Sequence, residues 1–520
     1  MYDPLTGQQK LWEWNAASRT WGIFAQDTWK ARRNLTVTLG FRYDDQGNPY
    51  SRSATTVFGN FILGDGSTFQ DRVASGFAKA SKHALNQSPK SFDPRVGIAW
   101  DVNGKGDWVV RGGFGIYANW LSQANVQEEF RGNPPGPFEP TFFGGTGANS
   151  PVFVQGSGDK PPFGFAYPPL AGSPICPTAP CLDSKGGLTG AGFPIGGINP
   201  DLKSPKAYIW AGTLERRLGN SLVASVLYSG SHSSDLIANG NQAGAVSYGA
   251  DINALPGDLL VNANPVRLNS SFGAINYADN DRVGNYNGVT FDLRGRFRRA
   301  FFDTSYTRSK SQDDAGTGGA GIGNGAYPTQ LNPHQFYGPS PWDVPNRFSL
   351  SLNYELPGLN SGHGFAGKLT GGWGASATSI FQTGYPITVV TTAPFSAGGD
   401  YNADGDNLDY PDVSSYHQGT SRSNYLNGSI LASQFTAPTP GTNGNEKTGQ
   451  FRQPSFSETD LTAYKDTHIT ERVNFQFRFE FFNLFNHPNL FLGPNLAGTF
   501  GKATGQQLPR NWQIGGKITF

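Results

Sequence analysis

The stretch Asp400–Asp412 reads DYNADGDNLDYPD. Asp400, Asn402, Asp404 and Asp406 fall at alternate positions, with Gly405 where a sharp turn is needed. Hard oxygen ligands at that spacing suit Ca²⁺, as in an EF-hand-type loop. The bidentate glutamate that closes such a loop is absent, and Pro411 stands in its place, leaving Asp409 or Asp412 as substitutes. The competing reading is a solvated Asp/Asn turn. The expectation is a weak Ca²⁺ site in a surface loop, with no cofactor required.

Cys176 and Cys181 (CPTAPC) are the only cysteines and lie in one Pro- and Gly-rich stretch. In an oxidising compartment a short Pro-containing loop brings such a pair within bonding reach, so a disulfide is expected rather than two separate thiols. A zinc half-site would need partners that are not nearby. The seven histidines (His83, His232, His334, His363, His417, His468, His487) form no H-x-x-x-H or H-E-x-x-H pair. There is no G-x-S-x-G, no Walker loop and no G-x-G-x-x-G between a strand and a helix. The residues read against an enzyme.

The elements that carry these loops announce themselves by alternation. In Arg472–Phe481, Val473, Phe475, Phe477, Phe479 and Phe481 share one parity, and Asn474, Gln476, Arg478 and Glu480 the other. Side chains on a strand alternate between faces, so one face is almost all phenylalanine and the other is polar. The last strand repeats the device: Trp512, Ile514, Gly516, Ile518 and Phe520 alternate with Gln513, Gly515, Lys517 and Thr519. A soluble sandwich would turn the apolar face inward. A barrel in lipid turns it outward and lines its lumen with the charges.

Composition favours the barrel. The chain has 520 residues, 69 Gly, 36 Pro, one Met and a formal charge of +1, with 13% aromatics. Mean hydropathy is −0.42. No apolar run is long enough for a transmembrane helix. Neither charge nor a basic stripe points to a nucleic-acid partner. Strand candidates recur at Trp21–Trp29, Leu35–Tyr43, Arg95–Asp101, Trp108–Ala118, Ala207–Arg217, Ser221–Ser229, Val289–Arg298, Phe302–Arg308, Arg347–Glu355, Lys368–Phe381 and Thr459–Tyr464. The chain is expected to continue extended through Tyr385–Thr391. With the last two strands this makes about 13, joined by connections that alternate between short and long, as periplasmic turns and extracellular loops do. Phe475, Phe477, Phe479, Leu350, Leu352, Val37 and Leu39 are expected to face lipid. Arg478, Glu480, Arg294 and Arg296 are expected to face the lumen. Tryptophans near strand ends (Trp21, Trp29, Trp100, Trp108, Trp120, Trp210, Trp512) fit interfacial girdles.

The segments FAQDTW (Phe24–Trp29), LTVTLGFRY (Leu35–Tyr43), DPRVGIAWD (Asp93–Asp101), DVPNRFSLSLNYELP (Asp343–Pro357), FQTGYPITV (Phe381–Val389) and FEFFNLFNHP (Phe479–Pro488) fall in the order found in TonB-dependent outer-membrane receptors. The chain resembles the C-terminal barrel portion of that family, in its Oar-like branch, whose members often carry a carboxypeptidase-regulatory-like domain. The resemblance implies an all-β, antiparallel transmembrane barrel in the bacterial outer membrane, with about 13 of roughly 22 strands present. It implies active uptake of a bulky, scarce solute driven by TonB through a plug. Residues 1–19 would end an extracellular loop and residues 20–520 form barrel wall. A plug, a TonB box and a signal peptide are not read in this sequence, and Met1 is followed by YDPLTGQQK without a basic or apolar leader. With both ends of a barrel normally periplasmic, the odd strand count predicts an open wall between the first strand and the last. The alternatives are a surface adhesion barrel and a complete small barrel for passive uptake.

Overall fold

The computed structural model describes residues 3, 5–7, 15–52, 58–119, 130, 133–134, 136, 178–188, 193–237, 241–242, 245–246, 250–253, 267–314, 334, 337–358, 367, 369–390, 410–439, 444–493 and 500–520. One 14-stranded sheet dominates. Its path runs through β1 (Trp21–Arg32), β2 (Leu35–Asp45), β3 (Lys90–Asp101), β4 (Trp108–Ala118), β5 (Lys206–Leu218), β6 (Leu222–Leu236) and β7 (Arg282–Arg296). It continues through β8 (Ala300–Asp313), β9 (Asn346–Glu355), β10 (Trp373–Gln382), β11 (Phe456–His468), β12 (Asn474–Phe482) and β13 (Asn511–Thr519). The short pair Gly338–Pro339 adds only to β8. Every pairing along the path is antiparallel and joins neighbours in sequence. Among the described residues no pairing joins β1 to β13.

The register turns the alternation of single strands into two continuous faces. Leu35, Trp100, Val110, Leu214, Val226, Phe291, Tyr306, Phe348 and Phe381 stand opposite one another in succession from β2 to β10. The row one residue along reads Thr36, Ala99, Arg111, Thr213, Leu227, Thr290, Thr307, Arg347 and Gln382. A one-residue slip of a strand would turn its apolar side chains onto the polar face, so the pattern fixes the register. Val37, Leu39, Leu350, Leu352, Phe475, Phe477 and Phe479 share the apolar face, and Arg294, Arg296, Arg478 and Glu480 the polar one. In a membrane barrel the apolar face meets lipid. Trp29, Trp100, Trp108 and Trp373 gather on it at the short-turn end. Trp21, Trp210 and Trp512 lie toward the other end, giving two aromatic girdles. Trp373 was not foreseen, and Trp120 lies outside the described residues.

Several boundaries differ from those expected. β3 begins at Lys90 rather than Arg95, because β2 continues to pair beyond Pro94 while β4 pairs only from Arg95 onward. Proline is tolerated where one side of the strand has no partner. β6 and β7 run several residues farther than their apolar alternation, to Leu236 and from Arg282. Above the bilayer no lipid face demands alternation, so polar residues continue the ladder. β10 starts at Trp373 rather than Lys368. Of Tyr385–Val390, Pro386–Ile387 pairs with Phe451–Arg452 and Val390 makes a single bridge, while Thr391 lies outside the described residues.

The long connections carry cores of their own. Phe58–Ile62 pairs with Phe77–Ser81, and Phe193–Ile198 runs parallel to Phe272–Ala278. Phe61, Val73, Ile195, Ile252, Phe272 and Ile275 pack together, drawn from three different loops. Buried asparagines bind those loops: Asn269 donates from Nδ2 to the carbonyls of Val73 and Gly76 at 3.0 and 2.9 Å. Asn60 and Ile198 exchange two bonds of 2.9 Å. A second cluster unites the loop after β10 with the loop after β12 through Ile387, Val389, Ile430, Phe435, Phe451 and Leu492.

Candidate functional site

On the polar face, charges are arranged in partnered sets. Glu215 of β5 accepts from Arg111 of β4 and Arg294 of β7, each at 3.2 Å. Arg42 grips Asp44 with two nitrogens, one bond being 2.6 Å. Arg478 lies 3.9 Å from Glu480. Placing such groups on strands that alternate costs little where the face meets water, and a lumen supplies it.

At the loop end of the polar face, a cavity of about 260 Å³ opens between β9, β10, β11 and the loops after β10 and β12. Ile380, Phe456, Leu490 and Phe491 make its apolar wall, with Arg347 and Gln382 at its edge. Arg347 is exposed, and its side chain makes no hydrogen bond or ion pair among the described residues. A largely apolar hollow with a few convergent polar groups is the usual form of a small-ligand site. Beside Val389 of the second loop cluster, Glu446 accepts from the Val389 backbone N–H at 2.7 Å, while its other carboxyl oxygen is buried without a hydrogen-bond partner. Burial pushes its pKa up to about 9, so the group is neutral at pH 7. Burial likewise raises the pKa of Tyr410, whose hydroxyl meets Thr448 Oγ1 at 2.8 Å.

Of the residues singled out from the sequence, Asp400, Asn402, Asp404 and Asp406 lie outside the described residues, as does Cys176. Cys181 is fully buried and is disulfide-bonded. Among the described residues no group of three or more His, Cys, Asp or Glu could hold a metal. His334 Nδ1 contacts Asp314 Oδ2, and His232 Nδ1 meets Asn285 at 2.8 Å, so these two serve local structure. Arg347 and Glu446 were not found by sequence reasoning. Arg347 looks like any polar member of an alternating strand, and nothing local marks Glu446 as buried.

The residues of the sheet and its loops match one family model, described as an outer membrane beta barrel domain, over residues 5–513. The chain belongs to that family. It is thereby an outer-membrane protein, in agreement with the two faces of the sheet and its two girdles. A comparison with curated proteins returns no match. Among solved structures, the chain is similar to the outer membrane transporter YddB from Escherichia coli, at 9% identity and TM-score 0.42, covering 97% of this chain and 54% of that one. The ferric citrate transporter FecA in its unliganded form gives 9% identity and TM-score 0.44, over 97% and 45%. The ferripyoverdine receptor of the Pseudomonas aeruginosa outer membrane gives 12% and 0.41, over 97% and 39%. The chain thus spans about half, or less, of the length of these structures.

Proposed function

We propose that this chain forms much of the wall and outer mouth of a TonB-dependent transporter, of the Oar-like kind, for active uptake of a bulky, scarce solute. The observation that carries the reading is the cavity at the loop end of the polar face, where unpaired Arg347 and an apolar wall offer a first contact for an incoming solute. The long loops fold on cores of their own, which supports a preformed mouth. A plug and its TonB-contacting segment would supply the energy coupling.

The sheet supports a larger barrel. Its thirteen-strand path makes β1 and β13 run parallel, so an all-antiparallel closure takes an odd number of further strands. Asp27 of β1 stands opposite Leu39 on the apolar face. A polar neighbour on an added strand would shield that carboxylate from lipid.

The test is accumulation of a panel of labelled iron chelates and oligopeptides by cells carrying the intact gene. Uptake that vanishes on gene deletion and on collapse of the proton-motive force, and falls in Arg347→Ala, is expected. Gene-dependent uptake indifferent to the protonophore would replace this reading with a passive barrel, and no gene-dependent uptake with an adhesion barrel.

A further inference from the structure

We propose that the lipid face of β8 holds a phosphate of an outer-leaflet glycolipid through Arg308 and Lys310. Both residues share parity with Ala300, Phe302, Thr304 and Tyr306, whose register places them on the apolar face. A spanning β-strand needs about 9–11 residues to cross the hydrocarbon core. Counting from Ala300 at the short-turn end, Tyr306 falls just inside that limit, and Arg308 and Lys310 fall at it. This is the height at which a lipid-facing cation stops being costly and anionic headgroups become its neighbours.

The surroundings are built rather than incidental. Tyr306 and Arg308 both donate to Asn346 Oδ1, at 2.8 and 3.0 Å, which fixes the guanidinium beside the tyrosine. Tyr228 donates to Asn287 Oδ1 at 2.7 Å on the neighbouring strands. Between them lies a cavity of about 470 Å³, lined by Tyr228, Asn287, Val289, Arg308, Lys310 and Pro339 among others. The acid in that lining is Asp343, and Arg452 already takes it at 2.6 Å. Among the described residues Arg308 has no carboxylate partner, and the exposed Lys310 side chain has no hydrogen bond or ion pair. Two cations, two residues apart on one strand face, therefore stand uncompensated over an apolar surface. A phosphate carried on acyl chains satisfies both at once, because the chains follow Phe302 and Val289 while the headgroup reaches the cations.

The test uses the intact protein in nanodiscs of zwitterionic lipid, titrated with lipid A or with dephosphorylated lipid A and followed by tryptophan fluorescence. Lipid A is expected to bind at least tenfold more tightly than the dephosphorylated form. Arg308→Gln with Lys310→Gln should erase that preference, Arg308→Lys should keep most of it, and the lumen variant Arg296→Gln should leave it unchanged. Heat-modifiable gel mobility checks that each variant is folded. Equal binding of the two lipids by the wild type, or a preference untouched in the folded double variant, would overturn the proposal. Competition by millimolar inorganic phosphate would also overturn it and assign the cations to a soluble anion.

Discussion

Arg452 donates from Nη2 to Asp343 Oδ2 at 2.6 Å, joining two outer loops through residues 109 apart in sequence. Asp343 is buried, and its other carboxyl oxygen accepts from the Ser311 backbone N–H at 2.7 Å. Arg452 also donates to the carbonyl of Gly384 at 3.1 Å, so one side chain ties the loop after β8 to the start of the loop after β10. Removing one partner of such a pair strands the other. Arg452→Ala should destabilise the outer loops by ~2–3 kcal/mol, and Asp343→Ala by somewhat less, because Arg452 is partly exposed and can reach water. Limited proteolysis of the folded protein measures this, and loops cut at the wild-type rate would contradict it.

The facing of β12 is tested by charge placement. Phe477→Arg puts a cation on the lipid face and should cost ~2–4 kcal/mol near the bilayer midplane, whereas Gln476→Arg, on the lumen face, should cost far less. Equilibrium unfolding in lipid vesicles compares the two, and equal costs would reverse the assignment.

Glu446 gives the second loop cluster a pH dependence of definite sign. Its pKa is raised from 4.5 to about 9 in the folded state. A raised pKa means that the folded form binds the proton more tightly, so its contribution is fully present below pH 4.5 and is lost as pH rises through 9. Protease sensitivity of residues 383–455 should increase over that window in the wild type and stay flat in Glu446→Gln. A flat wild-type profile would refute the burial argument.

Cys181 should be recovered bonded to Cys176 from the outer membrane. Peptide mapping without reductant reads this directly, and two alkylated thiols would exclude the bond. Given the Pro-containing five-residue spacing, a double serine variant should lose ~2 kcal/mol of local stability.

Asp400, Asn402, Asp404 and Asp406 are proposed to bind Ca²⁺ with a dissociation constant of roughly 10⁻⁴–10⁻³ M. Calorimetry on the wild type and on Asp404→Ala is the measurement. A wild type that gives no calcium-dependent heat leaves the solvated turn as the account.

The sequence by itself determined the wall. Each of Leu35–Asp45, Asn346–Glu355 and Asn474–Phe482 must keep one face apolar to sit against lipid, so period-two alternation is written locally and can be read without a structure. Strand number and the sequence of short and long connections followed from the same rule. Only the tertiary structure decided the mouth. The packing of Phe61 on Phe272, the bonds from Asn269 to Val73 and Gly76, and the pair Arg452–Asp343 join residues from different loops. Outside the bilayer no surrounding solvent imposes a period on these loops, so which of their residues become core is settled by partners distant in the chain. Arg347 and Glu446 share that origin. One is left unpaired and the other buried by neighbours that the local sequence does not name.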